Sequence, residues 1–257
     1  SVAGLLHNRP GIISTRPFRA PHHSASLSGM VGGGASPRPG EISLSHHGVL
    51  FLDEMTEFAR SHLDALRQPL ESGTVTISRA QNTFTFPASF LLLGACNPCP
   101  CGYRNDPVKY CTCSPYQADR YWSRLSGPLL DRIDLQVEVT RLKEADLGTA
   151  GGAESSADMF LQVMKAVDSQ RERSTNERVL YNGQFNQQQL RKYCAIGQQA
   201  KAVLINAVTR LGLSARAYDR ILRIARTIAD LDGADDIKPG HIAESVRYRS
   251  INCGLSN

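Results

Sequence analysis

The sequence lacks long apolar runs, and no segment approaches the roughly 18 apolar residues that a membrane-spanning helix needs. Residues 1–11 have no basic region before their short apolar run and no cleavage pattern of a secretion signal. These absences predict a soluble protein of the cytoplasm, without a membrane partner. With 41% hydrophobic and 21% charged residues, the composition is that of a globular protein with a sizeable core.

The sequence also lacks a Gly-Lys dipeptide. A phosphate-binding loop needs a glycine-rich turn followed by Lys and Ser or Thr at the start of a helix. The glycines at 32–34 are not followed by lysine, and Pro37 and Pro39 break any helix there. Because the chain does not begin with Met, we expect it to begin inside a longer protein. By itself it should bind ATP poorly or not at all.

Disulfide bonds are not indicated either, although the sequence contains seven cysteines. The number is odd, and Cys96, Cys194 and Cys253 lie in apolar or helical surroundings instead of a loop-rich scaffold. We therefore predict a reducing compartment. The other four cysteines stand close together in the sequence and form a separate motif, considered below.

Apolar runs alternate with helical patterns up to about residue 140, which predicts an α/β fold with a parallel sheet. The predicted strands are "GVLFLD", "FLLLGACN" and, with weaker burial, "DLQVEV" at 134–139. Between the first two, residues 58–70 show helical spacing that Gly73 ends, and a β-hairpin with "RAQN" at its turn follows. Residues 29–41 are rich in glycine and proline, which predicts a mobile loop.

A polar connector with several glycines divides the chain. We predict an α/β core over residues 1–142, a linker over 143–156 and an all-α domain over 157–257. Apolar residues recur at helical spacing in "DMFLQVMKAV" and in "AKAVLINAVTRLG". Ser214 should cap a further helix, "ARAYDRILRIARTIADLDG". Four arginines are predicted on the side of that helix opposite its apolar face: Arg216, Arg220, Arg223 and Arg226.

Two adjacent carboxylates, Asp53 and Glu54, follow the first predicted strand at the end where open parallel sheets bind ligands. Both could equally be solvated turn residues. In a phosphoryl-transfer site, Asp53 would help to hold a hydrated Mg²⁺, and Glu54 would orient and deprotonate the water that attacks a γ-phosphate.

Three further polar residues stand where such a site needs them. Asn97 ends the second predicted strand, where it would hold the attacking water or touch the phosphate. Arg132 precedes the third and would reach across a subunit boundary to stabilise transition-state charge. Arg216 lies in the first turn of the capped helix and would reach back to the nucleotide. The alternatives are a turn-forming Asn97, an Arg132 paired with Asp131 or Asp134, and a surface charge at Arg216.

Several long motifs resemble those of the magnesium-chelatase-like AAA+ ATPases, in the ComM branch, also called YifB. They are "RPFRAPHHSASLSGMVGGG", "GVLFLDEM", "LRQPLESGTVTISRA", "GACNPCPCGY", "LLDRIDLQVEV" and "GLSARAYDRILRIARTIADL". The resemblance covers nearly all of residues 1–250. It implies a P-loop NTPase-type sheet core, incomplete at its N-terminus because the Walker A loop precedes this chain in the family, followed by a helical lid.

The resemblance also implies roles for single residues. Asp53 and Glu54 would be the Walker B acids, Asn97 the first sensor, Arg132 the arginine finger and Arg216 the second sensor. The implied cofactors are ATP and Mg²⁺, and the implied assembly is a homo-oligomeric ring, which we expect to be a hexamer. ComM-like members are implicated in ATP-driven branch migration of DNA during recombination.

Four cysteines, Cys99, Cys101, Cys111 and Cys113, flank a turn-rich loop in "CNPCPCGYRNDPVKYCTCSP". Four thiolates that close one loop suit tetrahedral Zn²⁺, although each pair has one intervening residue instead of the usual two to four. A redox-active loop and four free thiols are the alternatives. We predict a structural zinc ion, because four protein ligands leave no open position for a substrate.

Two histidine pairs form a second candidate metal group: His22 with His23, and His46 with His47. Adjacent histidines on an extended segment point to opposite sides, so we do not expect either pair to chelate a metal.

Two loops are candidate DNA contacts: residues 30–40, with Arg38, and the hairpin tip at 79–82. Packing between subunits is the alternative for both. Three functions follow from the sequence. They are a ComM-like DNA-remodelling ATPase, the motor subunit of a magnesium chelatase, and a non-catalytic, zinc-stabilised DNA-binding or assembly module.

Overall fold

A computed structural model describes residues 15–34, 36–78, 82–139, 141, 154–175, 179 and 181–249. They fall into two compact units, the first ending at Ile133 and the second beginning at Asp134. Most of the predicted linker at 143–156 lies outside the described residues, so the predicted domain boundaries stay a prediction.

The first unit combines short strands with short helices. In chain order they are β1 (Phe18–Arg19), α1 (Leu27–Val31), β2 (Gly32–Gly33), β3 (Arg38–Pro39), α2 (Glu41–Leu44), β4 (Val49–Leu52), α3 (Arg60–Ala65), α4 (Arg67–Ser72), β5 (Thr74–Ser78), β6 (Thr83–Pro87), β7 (Leu91–Gly94), α5 (Pro115–Trp122) and α6 (Gly127–Leu130). A 3₁₀ turn, Met55–Glu57, follows β4.

Among the described residues, the central sheet has three parallel strands in the order β1-β4-β7. The side chains of Leu50 and Leu52 in β4 are fully buried on one face, as the period of two in a strand requires. They belong to a core with helices on that face, which also contains Met30, Ile42, Phe58, Leu63, Leu66 and Leu129. The predicted α/β fold with a parallel sheet is confirmed.

Within the part of the chain that the structure describes, nothing covers the second face of the sheet. Phe18 stacks on Phe51 there with ring centroids 6.1 Å apart, and Leu91 and Leu93 of β7 are 64% and 52% exposed. The interpretation of "FLLLGACN" as a buried strand is therefore wrong for its outer face. An unbroken apolar run such as that of β7 predicts a strand that is covered on both faces. In this sheet the described residues cover only one face.

The prediction of a third strand at 134–139 is also wrong. This segment belongs to the second unit and joins no sheet among the described residues. Leu135, Val137 and Val139 are 52%, 65% and 88% exposed. Alternating polar and apolar residues fit a strand only where a sheet edge receives them. The third strand is β1, which has two residues and no periodic pattern.

The helix predicted at 58–70 is divided into α3 and α4 at Leu66. Pro69 explains the break, because it has no N–H to donate to the carbonyl of Ala65 and its ring crowds that turn. Gly73 ends α4 with a left-handed φ of 67°, as expected. The predicted hairpin is confirmed as β5 and β6, with Thr76 opposite Thr85. Its tip at 79–81 lies outside the described residues.

Residues 29–41 were expected to form a mobile loop, but their described part contains the end of α1, the short hairpin β2-β3 and the start of α2. Gly32 has a φ of 104°, which few other residues adopt. A Cβ at Gly40 would lie 2.4 Å from the nitrogen of Gly32. The glycines that suggested mobility are therefore those that allow a tight hairpin, which carries the exposed Arg38.

The second unit is helical. Its helices are α7 (Ser156–Arg173), α8 (Gln187–Tyr193), α9 (Gln198–Leu211), α10 (Ala215–Leu231) and α11 (Pro239–Arg247), with a 3₁₀ turn at Asn182–Gln184. Ser214 caps α10, as predicted, by accepting a 3.2 Å hydrogen bond from the N–H of Ala217. The core includes Phe185, Leu190, Leu204, Ile221, Ala225 and Ile242. In α7, however, Met159 and Phe160 of the predicted apolar face are exposed.

The predicted arginine face of α10 is wrong at Arg226, which is 3% exposed. Its Nε donates to Asp230 at 3.0 Å, and Asp230 also accepts from Arg173 and, at 2.7 Å, from Asn182. A partnered arginine can lie inside a helical unit, which a polar position on a helical wheel does not reveal. Within the described residues, no helix has both the length and the apolar character needed to cross a membrane.

Candidate functional site

Asp53 and Glu54, called the acidic pair below, directly follow β4 and are both exposed. Asp53 Oδ1 accepts a 2.9 Å hydrogen bond from the N–H of Glu54. Glu54 has a left-handed φ of 48°, which is uncommon for a residue with a side chain. This backbone turns the chain sharply into the following 3₁₀ turn and leaves two carboxylates together at the end of the strand.

Asn97 lies three residues after β7, the strand beside β4, and is exposed. Leu52 of β4 pairs with Gly94 of β7, and the ladder continues where the N–H of Ala95 donates to the carbonyl of Leu52 at 2.9 Å. Both chains run in the same direction. The structure therefore brings Asn97 and the acidic pair to the same end of adjacent strands.

Met55 holds the two strand ends close together. Its N–H donates to the carbonyl of Ala95 at 2.8 Å, and its side chain is buried. A Cβ at Gly94 would lie 2.7 Å from Met55 Sδ, so the space between the strand ends depends on glycine at that position. The packing fixes the spacing of the polar residues that follow.

The histidine pairs differ from expectation. The ring centroids of His22 and His23 are 4.0 Å apart, and those of His46 and His47 are 3.8 Å apart, so each pair lies on one side of the chain. The expected opposite orientation assumed extended backbone. Instead, the first pair lies in a turn, and His47 has a left-handed φ of 58°.

His23 is a neighbour of the acidic pair that sequence reasoning missed. Its Nδ1 lies 3.6 Å from Glu54 Oε2, and its ring meets that of Phe58 edge-on at 6.4 Å. The two residues are 31 positions apart, and β1 places His23 beside the end of β4. The repeated histidine was the available signal, but only the parallel pairing of β1 with β4 gives it a partner.

Arg124 supports the segment after the acidic pair from the other side. Its guanidinium donates to the carbonyl of Thr56 at 2.6 Å and to Glu57 Oε2 at 3.1 Å. It therefore holds the 3₁₀ turn that leads away from Glu54. Nothing in the sequence distinguishes Arg124 from other surface arginines.

Arg132 lies close to the end of the first unit. Its guanidinium forms a salt bridge with Glu71 and donates to the carbonyl of Pro128 at 2.7 Å, and its side chain is 11% exposed. The structure thus gives Arg132 a charged partner 61 residues away. Its role as an arginine finger stays a prediction.

Arg216 belongs to the second unit. It is exposed in the first turn of α10, directly after the cap at Ser214. The first turn of a helix presents unpaired N–H groups and a partial positive charge, which favours anions. Its role toward a nucleotide also stays a prediction.

The cysteine cluster consists of Cys99, Cys101, Cys111 and Cys113, whose sulfur atoms all lie within 4.8 Å of one another. Cys99 Sγ is 3.3 Å from Cys101 Sγ and 3.7 Å from Cys111 Sγ, and the last two are 3.5 Å apart. Cys99 is fully buried. The loop therefore turns back on itself so that two distant cysteine pairs meet.

The cluster strongly perturbs the pKa values of its thiols. A backbone hydrogen bond at Tyr103 lowers the pKa of Cys101 to about 5, against the opposing effect of desolvation. At Cys113, a backbone hydrogen bond at Cys101 favours the thiolate. Desolvation and the neighbouring sulfurs outweigh it, however, and raise the pKa to about 12. Thiolate is the form that binds metal ions, and the cluster already favours it at Cys101.

Trp122 links the cluster to the strand end. Its indole Nε1 donates a 2.7 Å hydrogen bond to the carbonyl of Pro98, which lies between Asn97 and Cys99. Trp122 is the last residue of α5 and packs against the core of the first unit. Sequence reasoning missed this contact. The available signal was that Trp122 is the only tryptophan in the chain.

Comparison with known proteins gives the same family over both units. The family model described as "Magnesium chelatase, subunit ChlI" matches residues 1–147, and "Magnesium chelatase, subunit ChlI C-terminal" matches residues 153–249. Competence protein ComM of Haemophilus influenzae is 48% identical over 98% of this chain and 49% of its own length. YifB of Escherichia coli is 47% identical over 92% of this chain and 46% of its length.

A more distant relative is the magnesium-chelatase subunit ChlI of Mesostigma viride. It is 24% identical over 81% of this chain and 51% of its own length. The chain thus spans about half the length of the curated relatives that it matches.

Proposed function

Because this chain belongs to the magnesium-chelatase-like family of AAA+ ATPases, in the ComM and YifB branch, we propose that its full gene product is an ATP-driven motor that remodels DNA. By analogy with ComM, the proposed reaction is branch migration during recombination, in the cytoplasm. The 48% identity to ComM against 24% to the chelatase subunit favours this function over metal insertion into a porphyrin.

One observation carries the proposal: the acidic pair and Asn97 follow two strands that pair in parallel, with Leu52 opposite Gly94. Ligands of open parallel sheets bind beyond the carboxyl ends of the strands. Two carboxylates and an amide at that edge, all exposed, suit a hydrated Mg²⁺ and a phosphate. The donor set and its exposure therefore fit both cofactors.

Each residue has a proposed task. Asp53 would help to hold Mg²⁺, and Glu54 would accept a proton from the attacking water. Asn97 would orient that water through its amide. ATP bound with Mg²⁺ supplies the phosphoryl group and neutralises part of its charge. The strained backbone at Glu54 would fix its carboxylate at the edge before any ligand arrives.

Two arginines would add positive charge in an assembled ring, which we propose to be a homohexamer. Arg132 would act on the nucleotide of a neighbouring subunit, as an arginine finger does. To do so it must leave its salt bridge with Glu71 or share it. Arg216 would act as the second sensor from the first turn of α10. Ring assembly is what this role of Arg132 requires.

The hairpin β2-β3 is the proposed DNA contact. It holds Arg38 exposed, where a guanidinium could bind phosphates without reading sequence. The second candidate, at 79–82, has only Asn82 within the described residues.

We also propose that the cysteine cluster binds a structural Zn²⁺. With Zn–S bonds of about 2.3 Å, tetrahedral geometry places sulfur atoms about 3.8 Å apart. The distances of 3.3–3.7 Å among Cys99, Cys101 and Cys111 need only a small expansion, and Cys113 Sγ lies within 4.8 Å of these three sulfur atoms. Four protein ligands leave no position for a substrate, so the ion would stabilise the loop and take no part in the reaction.

The test is ATP hydrolysis by the full gene product, with and without branched DNA. We expect hydrolysis that branched DNA stimulates, and a loss of about 10²- to 10⁴-fold in Glu54→Gln with ATP binding retained. The matched control is Glu172→Gln, the same change at an exposed position of α7. Hydrolysis unaffected by Glu54→Gln would refute the assigned base. Dependence on a porphyrin would indicate the chelatase function, and the absence of hydrolysis a non-catalytic module.

A further inference from the structure

The segment between Asn97 and Cys99 is held from two sides. Upstream, Ala95 is part of the hydrogen-bonded ladder between β4 and β7. Downstream, Cys99 is fully buried in the cysteine cluster, and Trp122 donates its 2.7 Å hydrogen bond to the carbonyl of Pro98. Asn97 lies between these supports and is exposed, as is Cys96 on its upstream side. Its amide therefore depends on both of them for its position.

Helix α5 connects the same two supports. It begins directly after Cys113, where Ser114 forms a capping box with Gln117, and it ends at Trp122. The cluster is therefore fixed to one end of a helix whose other end is bonded to Pro98. A change in the cluster would move Pro98 through two routes, the backbone at Cys99 and the helix.

Polar contacts hold parts of the loop: Asp106 accepts from the N–H groups of Val108 and Lys109, and Arg104 forms a salt bridge with Asp119 of α5. Between Cys101 and Cys111 the loop is rich in turn-forming and polar residues, and the described residues from 95 to 114 include no helix or strand. Ordering such a segment costs conformational entropy that a closed metal site offsets. Cys101 and Cys113 line an open cavity of about 550 Å³, which gives a metal ion or a chelator access to the sulfurs.

We infer that the metal ion held by the cysteine cluster positions Asn97, acting through Pro98 and the Trp122 hydrogen bond, and so makes the candidate nucleotide edge dependent on metal. The inference rests on the proposed function for the role of Asn97. The connection from the cysteine cluster to Asn97, through Pro98 and Trp122, comes from the structure. Trp122 and the cysteines are positioning residues, because none of them would touch the nucleotide.

The first experiment uses the 257-residue chain without nucleotide. Zinc is measured by elemental analysis, and Trp122, the only tryptophan, reports on its surroundings by fluorescence. We expect one zinc per chain. A chelator with a mercurial thiol reagent should remove it and shift the Trp122 emission, and added Zn²⁺ should restore both once excess thiol has displaced the mercurial. An emission that stays unchanged when zinc leaves, or a chain that binds no zinc, overturns the inference.

Matched cysteine variants refine this experiment. Cys111→Ser with Cys113→Ser should give the metal-free emission and no zinc. Cys96→Ser is the control, since Cys96 is exposed beside Asn97 but outside the cluster. It should retain both the zinc and the emission of the unsubstituted chain. Loss of zinc in Cys96→Ser contradicts the ligand set.

The second experiment measures ATP hydrolysis by the full gene product. Trp122→Phe keeps an aromatic ring but cannot donate to Pro98. It should retain zinc and lower kcat about tenfold, with KM for ATP unchanged, because a misplaced group costs rate. In an Asn97→Ala background the same change should have no further effect, since both act through one amide.

The outcomes separate this inference from the proposed function. An unsubstituted gene product without ATP hydrolysis refutes the proposed function, and the fluorescence experiment still decides whether metal holds Pro98. Hydrolysis that Trp122→Phe leaves unchanged, or lowers equally with and without Asn97, refutes the inference and leaves the proposed function standing.

Discussion

In the first unit Asp53 and Glu54 stand exposed at the end of a strand, whereas in the second unit the side chain of Asp230 is only 1% exposed. Asp230 accepts hydrogen bonds from Arg173, Arg226 and Asn182. The acidic pair has His23 beside it, at 3.6 Å from Glu54. The two units therefore use acidic side chains in opposite ways.

Burial therefore distinguishes the acidic side chains that stabilise the fold from those that are available to bind a ligand. A buried carboxylate needs charged and hydrogen-bonding partners, and removing it leaves their charges uncompensated. An exposed carboxylate contributes little to folding, so its position at a strand end is better explained by what it binds. If Asp53 stabilised the fold as strongly as Asp230, or if Asp230 could be replaced at no cost, this distinction between the two kinds of acid would not hold.

Replacing Asp230 should produce the largest change in stability. Asp230→Ala leaves the buried Arg226 and the half-buried Arg173 without their shared carboxylate, so we expect a loss of about 3–5 kcal/mol in the free energy of unfolding. Urea unfolding followed by circular dichroism measures it. Asp53→Ala is the matched comparison and should change stability by less than about 0.5 kcal/mol. Equal losses in the two variants would show that the acidic pair is also structural.

The two units also differ in the pKa values of their cysteines, which makes stability depend on pH. Burial raises the pKa of Cys194 to about 11 from its usual 9.0, whereas the pKa of Cys101 is lowered to about 5. Because the unfolded chain loses the Cys194 proton first, its stabilising contribution is complete below pH 9 and declines as pH rises toward 11. The decline should be about 2 kcal/mol.

Cys194→Ala isolates this effect from other titrating groups. The difference in unfolding free energy between the unsubstituted chain and Cys194→Ala should change in favour of the variant between pH 9 and pH 11. Urea unfolding under reducing conditions at several pH values measures it. A constant difference across this range would mean that Cys194 titrates normally in the folded chain.

How far the sequence predicts this molecule depends on the distance between the interacting residues. The strands β4 and β7, the hairpin and the cap at Ser214 follow from local patterns, and so does the position of the acidic pair at a strand end. The third strand does not, since β1 consists of two residues and is recognised only by its pairing with β4. Pro69 is a sequence signal for the break between α3 and α4, but the helical spacing of the apolar residues around it favoured one continuous helix.

Contacts between distant residues could not be predicted from the pattern. Arg132 meets Glu71 across 61 positions. Arg226 is buried because Asp230 pairs with its charge and the carbonyls of Ala234 and Asp235 accept from its guanidinium. A helical wheel assigns an arginine to the polar face because of its charge, and it contains no information on partners in other elements. The cysteines were recognised because the ligand types are few, whereas the Trp122 contact with Pro98 needed the fold.

The smallest expected change in stability comes from the helix caps. Both units have a serine at the N-cap of a helix, so the same substitution can be made in each. Ser114 accepts a 3.2 Å hydrogen bond from the N–H of Gln117, and Ser214 accepts one of 3.2 Å from Ala217. Ser114→Ala and Ser214→Ala should each cost about 1 kcal/mol, and aspartate at either position should restore most of it. Hydrogen exchange, resolved by segment, measures each unit separately.

If the two units unfold independently, each cap variant should raise the exchange rate only in its own unit, by about fivefold for 1 kcal/mol. Ser114 also follows Cys113 directly, so its loss should be smaller when the cysteine cluster holds zinc than after the metal is removed. Ser214 has no such neighbour in sequence and should respond equally in both conditions. A zinc effect at Ser214 would show that the second unit senses the metal as well, and that the contrast between the units is not complete.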